Sequence, residues 1–131
     1  MELPQKIFRG TTLGGFVHDL PIMTKYKFTD SLTNASAYAI QYSKQFFDSP
    51  LLIALLDTKE FELDYDGFGA WKIRELTFPN PNITLVGTFE YKKFLRQSAE
   101  SQALFLDSLA TPENPPVLVE KVLDNLFQQY L

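Results

Sequence analysis

Three groups of side chains have the types and the placement to do chemistry. Arg9 ends a short apolar stretch, Lys6-Ile7-Phe8-Arg9-Gly10. A guanidinium suits a ligand with paired anionic oxygens, which it grips through two parallel hydrogen bonds. Thr29 and Ser31 bring hydroxyls to the end of a second β-like stretch, where a helix begins. Glu75 lies inside a third apolar run, between Ile73-Arg74 and Leu76, where a random surface glutamate is less expected. A carboxylate so placed can stabilise positive charge as it develops on a reacting group. Near Glu75, Phe68 and Trp71 offer aromatic faces and Lys72 and Arg74 offer cations, a composition that stacks unpaired bases and holds a phosphate backbone. Each group also has a plain alternative: a strand-end surface arginine, a helix cap, and a strand-edge glutamate paired with Arg74 or Lys72.

Other chemistries find no residues to carry them. The chain has no cysteine, so disulfides and thiolate metal sites are excluded, and its single histidine, His18, makes an imidazole zinc site implausible. No metal is expected. Gly10 to Gly15 is a glycine-rich stretch after a strand, but no Gly-Lys-Ser or Gly-Lys-Thr follows it, so it is not a P-loop. A serine–histidine–acid triad cannot be argued from one loop histidine. The net charge of −4 argues against capture of nucleic acid by the whole surface. The charge is unevenly distributed: residues 67–96 carry +5 and −2, whereas residues 57–66 carry +1 and −5 and residues 97–131 carry +1 and −5. Runs of this kind also arise as ordinary solvated faces.

The elements that must position these residues can be read from periodicity. A length of 131 residues suits one domain, and 12 Phe, 6 Tyr and 1 Trp supply a real core. No apolar run approaches the ~18 residues needed to span a bilayer, so no membrane segment is expected, and Met1 to Phe8 lacks the apolar core of a signal peptide. Residues 5–9 read as a strand and Gly10 to Gly15 as a flexible loop. Lys25 to Asp57 reads as strand, capped helix, strand. Tyr26 and Phe28 alternate with polar neighbours; Asp30, Ser31 and Thr33 offer capping oxygens; Ala35, Tyr38, Ala39, Tyr42 and Phe46 recur at helical spacing as one apolar face. Ser49-Pro50 stops that helix, and the continuous run Leu51 to Leu56 suits a strand covered on both faces. Phe61 to Tyr65 alternates as a half-exposed strand, and Asp66 to Gly69 is a turn. Ala70 to Phe78 and Ile83 to Tyr91 read as two strands of a hairpin joined at Pro79-Asn80-Pro81-Asn82. Tyr91 to Leu109 is helical. Asn114 can cap a last helix, whose stripe of Val119, Val122, Leu123, Leu126, Phe127 and Tyr130 faces the core or a partner.

An arginine ending one strand, a hydroxyl-bearing strand end before a capped helix, and a later strand glutamate resemble the mono-ADP-ribosyltransferase family, whose bacterial toxin members carry Arg, then Ser-Thr-Ser, then Glu. The likeness rests on Arg9-Gly10, on Phe28-Thr29-Asp30-Ser31 and on Glu75-Leu76-Thr77-Phe78-Pro79, and covers roughly residues 6–91. It implies an α+β fold with a compact split β-sheet core over about residues 6–91 and a C-terminal helical segment over about 92–131, in one domain. It implies NAD as substrate. Arg9, with Gly10 and Thr11 beside it, would hold the pyrophosphate or ribose. Thr29 and Ser31 would keep the substrate site and orient Glu75, the catalytic carboxylate at the ribose. The stretch from Phe28 to Tyr38 is also similar to the poly-ADP-ribose polymerase branch, in which a tyrosine at the place of Tyr38 stacks on nicotinamide; the other reading of Tyr38 is a core residue on the helix face. Ile73 stands where arginine-modifying members carry Glu and other toxin members carry Gln. With Phe68, Trp71, Lys72 and Arg74 it forms the expected acceptor-binding segment, and the acceptor expected is RNA or DNA ahead of protein. The function implied is transfer of one ADP-ribose to a macromolecule in the cytoplasm, with an antitoxin or inhibitor docking on the C-terminal helices. The alternatives are a non-catalytic binding module of the same fold and an NAD glycohydrolase.

Overall fold

A computed structural model describes residues 2–19, 22–23 and 26–131. The expected start of the second strand at Lys25 lies outside the described residues, as do Leu20 and Pro21. The fold is α+β, with a six-stranded antiparallel sheet, a separate two-stranded pair, and three helices following one another in the C-terminal part of the chain. Among the described residues, no helix is long and apolar enough to cross a membrane.

The sheet is built outward from β4 (Pro50–Leu55), all of whose residues are buried. A strand covered on both faces needs both edges paired as well, because an unpaired backbone group away from water is costly. β1 (Ile7–Thr12) supplies one edge along its whole length, from Ile7 opposite Leu55 to Thr12 opposite Pro50. β8 (Ile83–Gly87) supplies the other. On the far side of β1 come β3 (Lys27–Thr29), β6 (Ala70–Ile73) and β5 (Leu63–Gly67), giving the order β5-β6-β3-β1-β4-β8. Two further short strands, β2 (Ile22–Met23) and β7 (Leu76–Thr77), pair only with each other.

The period of two along β4 sorts the core into two layers. Leu52 and Ala54 join Phe8 and Val86 under the helices, while Leu51, Ile53 and Leu55 join Ile7, Phe16, Phe28, Trp71 and Ile73 on the opposite face. The helical layer consists of α2 (Leu32–Phe46), α3 (Thr88–Leu95), α4 (Ala99–Leu109) and α5 (Pro116–Phe127), and α1 (Leu13–Asp19) follows β1 directly.

Several expectations are corrected here. The Gly10–Gly15 loop is the end of β1 and the start of α1; the Asp48 carboxylate accepts from the Gly14 N–H at 2.7 Å and the Thr12 hydroxyl from that of Gly15 at 3.1 Å, which holds a helical turn despite two glycines. The hairpin of 70–78 with 83–91 does not form: β6 and β8 sit on opposite sides of the sheet, because the second edge of β4 takes β8. The helix expected over 91–109 is two helices, divided where Ser98 caps the second by accepting from the Ser101 N–H. Along α2 the expected apolar face divides by size. Ala35 and Ala39 are buried, whereas Tyr38 and Phe46 are exposed. The helix lies so close to Gly10 that a Cβ there would collide with the Ala35 carbonyl oxygen, so only small residues fit that line of contact. The α5 stripe needs no correction and takes its core-facing reading: Val119, Val122, Leu123, Leu126 and Phe127 are buried and Tyr130 is half-buried.

Candidate ligand cleft and a separated carboxylate

β1 and β3 pair at one register position, Phe8 opposite Thr29, and part beyond it. The fork leaves a cleft of about 350 Å³ roofed by one edge of α2. This volume lies at the small end of the range of ligand sites. Arg9, Gly10, Tyr26, Thr29, Tyr38 and Tyr42 line it.

Arg9 bridges the fork. Its Nη1 donates to the Lys27 carbonyl at 3.0 Å, and its guanidinium lies 4.6 Å from the centre of the Tyr26 ring, a cation–π contact that fixes the plane of the group. Its Nε is buried and has no hydrogen-bond partner among the described residues. Burial lowers the Arg9 pKa from its ordinary value, and Tyr42, Tyr26 and Asp19 oppose that shift. An arginine stays charged in any case, so the cleft holds a fixed cation with donor capacity left over. The neighbouring Asp19 carboxylate, with burial, pushes the Tyr26 hydroxyl up from its ordinary value, so it remains neutral. The neighbouring cation, Lys27, is neutralised by Asp66 at 2.8 Å. None of the side chains lining the cleft is a carboxylate, among the described residues.

The hydroxyls expected at the site are engaged in local structure. The Ser31 Oγ caps α2 by accepting from the Asn34 N–H at 3.2 Å, and the Thr29 Oγ1 accepts from the Ser31 N–H at 3.1 Å. Thr29 lines the cleft; Ser31 and Thr11 do not. Gly10 lines it too, and its lack of a side chain is already required by the approach of α2. Tyr38 lines the cleft with 53% of its surface exposed, which rules out its reading as a core residue.

The structure does not bring Glu75 to this cleft. β6 ends at Ile73, whose N–H donates to the Tyr26 carbonyl at 2.9 Å. At the next residue the chain turns toward β5: the Arg74 N–H donates to the Glu62 carbonyl at 3.1 Å, and its guanidinium lies 3.4 Å from Asp64 and 3.5 Å from Glu62. Glu75 is therefore exposed in the break between β6 and β7, where it lines a separate shallow depression with Glu60, Phe61, Glu62, Thr77 and Asn80. Arg74 pairs with Glu62 and Asp64 and not with Glu75.

The acceptor-binding segment is likewise not assembled as a surface. Trp71 and Ile73 are buried in the core layer opposite the helices, with Trp71 against the Tyr65 ring at 4.9 Å. The charge of Arg74 is balanced by two carboxylates, and Lys72 is half-exposed. Phe68 alone presents a free aromatic face, at the turn between β5 and β6.

Comparison with known protein families, with curated proteins and with solved structures returns no match.

Three functional or supporting residues escaped sequence reasoning. Tyr26 and Tyr42 read as a half-buried strand residue and a core-facing helix residue, but both open onto the cleft. Asn114, expected to cap α5, instead serves α2. Its Oδ1 accepts from the Leu32 N–H at 3.1 Å, and its Nδ2 donates to the Asp30 carbonyl at 2.9 Å, so the C-terminal segment clamps the turn that follows Thr29. α5 itself starts at Pro115-Pro116 without a side-chain cap. Only the residue type of Asn114 hinted at capping; which helix it would cap was a long-range fact. Among the described residues no cluster of side chains could hold a metal ion.

Proposed function

We propose that this is an ADP-ribosyltransferase-type domain that binds NAD in the fork cleft. The observation that carries the reading is the convergence of Arg9, Thr29 and Tyr38, from three separate elements, on one cleft whose lining, among the described residues, includes no carboxylate. Arg9 brings a guanidinium to the cleft for a pyrophosphate, and Tyr38 and Tyr42 bring aromatic rings for a flat base.

Recognition without turnover is the role this geometry supports best. Transfer is the second reading, supported by the order Arg9, Thr29-Asp30-Ser31, Glu75 along the chain. In that reaction the glycosidic bond breaks, nicotinamide leaves with its electron pair, and an acceptor oxygen or nitrogen bonds to the ribose carbon and loses a proton. A carboxylate at the ribose would stabilise the oxocarbenium character that develops, and its removal commonly costs ~10²–10³ in rate. Glu75 lies outside the cleft, and that placement favours recognition. The cytoplasm, where a cysteine-free chain meets NAD, goes with either reading.

The experiment follows free nicotinamide and NAD binding side by side in the wild-type chain and in Glu75→Gln. Equal NAD affinity in both, with no nicotinamide released by either, is the expected result. Nicotinamide release that Glu75→Gln abolishes would establish turnover. Labelled NAD offered with RNA, single-stranded DNA and a protein extract would then identify the acceptor.

A further inference from the structure

α2 reverses the usual arrangement of an amphipathic helix. Past Leu32 in its first turn, its fully buried positions are small residues, Ala35, Ser36, Ala39 and Ser43, while large aromatic rings stand on an accessible side. Tyr38, Tyr42 and Phe46 follow one another at four-residue spacing. The Tyr38 and Tyr42 rings are 6.2 Å apart and inclined by 22°, and those of Tyr42 and Phe46 are 6.3 Å apart and inclined by 29°. Phe46 is 61% exposed, and the series climbs the helix by about 12 Å at its ordinary rise. An exposed contiguous apolar patch of this kind calls for an occupant.

Two observations say what the occupant is. The first is continuity: Tyr38 and Tyr42 belong to the ladder and also line the fork cleft, so one surface runs from the cleft out to Phe46. The second is charge. Arg9 and Tyr42 line the cleft together, Asp19 of α1 offsets the Arg9 charge only from behind the lining, and among the described residues no carboxylate lines the space itself. An occupant that matches these features is anionic near the middle of the ladder and flat at its ends, which is the order of two bases joined by a pyrophosphate.

We propose that the ladder Tyr38–Tyr42–Phe46 is the platform for an extended dinucleotide. One ring stacks at Tyr38, the pyrophosphate meets Arg9 beside Tyr42, and the purine stacks on Phe46. This assignment rests on the NAD-binding reading and adds which end of the ligand each residue takes. It makes Phe46, which lies outside the cleft, a determinant of affinity for the purine end.

The test is calorimetric titration of the wild-type chain and Phe46→Ala with NAD, ADP and nicotinamide mononucleotide. Phe46 is exposed, so its truncation leaves the core intact, and Phe46→Trp provides a second variant that keeps a stacking face. In Phe46→Ala the affinity for NAD and for ADP should fall about 5- to 150-fold, the equivalent of ~1–3 kcal/mol for one stacked base. The affinity for nicotinamide mononucleotide should not change, and Phe46→Trp should bind all three at least as well as wild type. NAD binding that ignores Phe46 would overturn the ladder and leave the cleft reading standing. Phe46-dependent binding of ADP without any binding of NAD would uphold the purine platform and overturn the NAD reading. Binding of none of the three ligands would overturn both. Loss of self-association in Phe46→Ala with unchanged nucleotide affinities would make the face an interface between copies and overturn the proposal.

Discussion

The fork cleft and the depression around Glu75 were one site in the order of the chain and are two in space. In the cleft, residues distant in sequence converge because β1 and β3 part after Phe8 and Thr29, and Arg9 spans the gap. At Glu75, residues close in sequence diverge. Ile73 is hydrogen-bonded to the β3 side, Arg74 to the β5 side, and Leu76 is buried and anchors the next step of the chain in the core. A single change of hydrogen-bond partner between residues 73 and 74 thus sends the carboxylate away. The cleft is cationic and aromatic, the depression acidic, and a pyrophosphate belongs only in the first.

The largest expected effect tests what keeps the cleft open. Gly10→Ala would drive a Cβ into the Ala35 carbonyl and to 2.7 Å from the Ala39 nitrogen, so α2 must lift from the sheet. Overpacking of this kind costs ~1–3 kcal/mol or more, and here the obstacle is backbone and not a flexible side chain. A sharply lower melting temperature, with loss of NAD binding, is expected; an unchanged melting temperature would show that the helix does not sit on Gly10.

A smaller loss is expected from Asn114→Ala. It leaves the buried Leu32 N–H without its acceptor and frees the Asp30 turn, at a cost of about 1–3 kcal/mol. Thermal unfolding reads the loss directly. Because the turn follows Thr29, NAD affinity should fall with it, whereas a change confined to the C-terminal helices would move stability alone.

The smallest effect is expected at the other site. Glu75→Gln should leave both the melting temperature and NAD affinity as they are, since the side chain is exposed and outside the cleft. A marked fall in NAD affinity would join the two regions again and contradict their separation.

Sequence reading succeeded where the signal is local. The apolar run of β4 demanded cover on both faces and has it, and Ser31 caps α2 as its type and place imply. The α5 stripe carries aliphatic residues at helical spacing and is buried. It failed where side-chain size or distant pairing decides. The residues Ala35, Tyr38, Ala39, Tyr42 and Phe46 share a period, yet only the alanines can approach Gly10, so the aromatic ones are left facing the cleft and solvent. The apolar run around Glu75 looks like one strand; its break becomes legible only once β5 claims Arg74. Asn114 reaches across 82 positions to Leu32, and no local pattern specifies that.

The central claim is that Arg9 holds the anionic centre of NAD in the fork cleft. Its most direct measurement is calorimetric titration of NAD into the wild-type chain, Arg9→Ala and Arg9→Lys, with folding checked by thermal unfolding. Hydrogen bonds to a charged group contribute ~1.5–3 kcal/mol, so Arg9→Ala should bind NAD about 10- to 150-fold more weakly. Arg9→Lys should recover only part of the loss, since a point charge replaces a planar fork. Wild-type affinity retained in a folded Arg9→Ala would contradict the account.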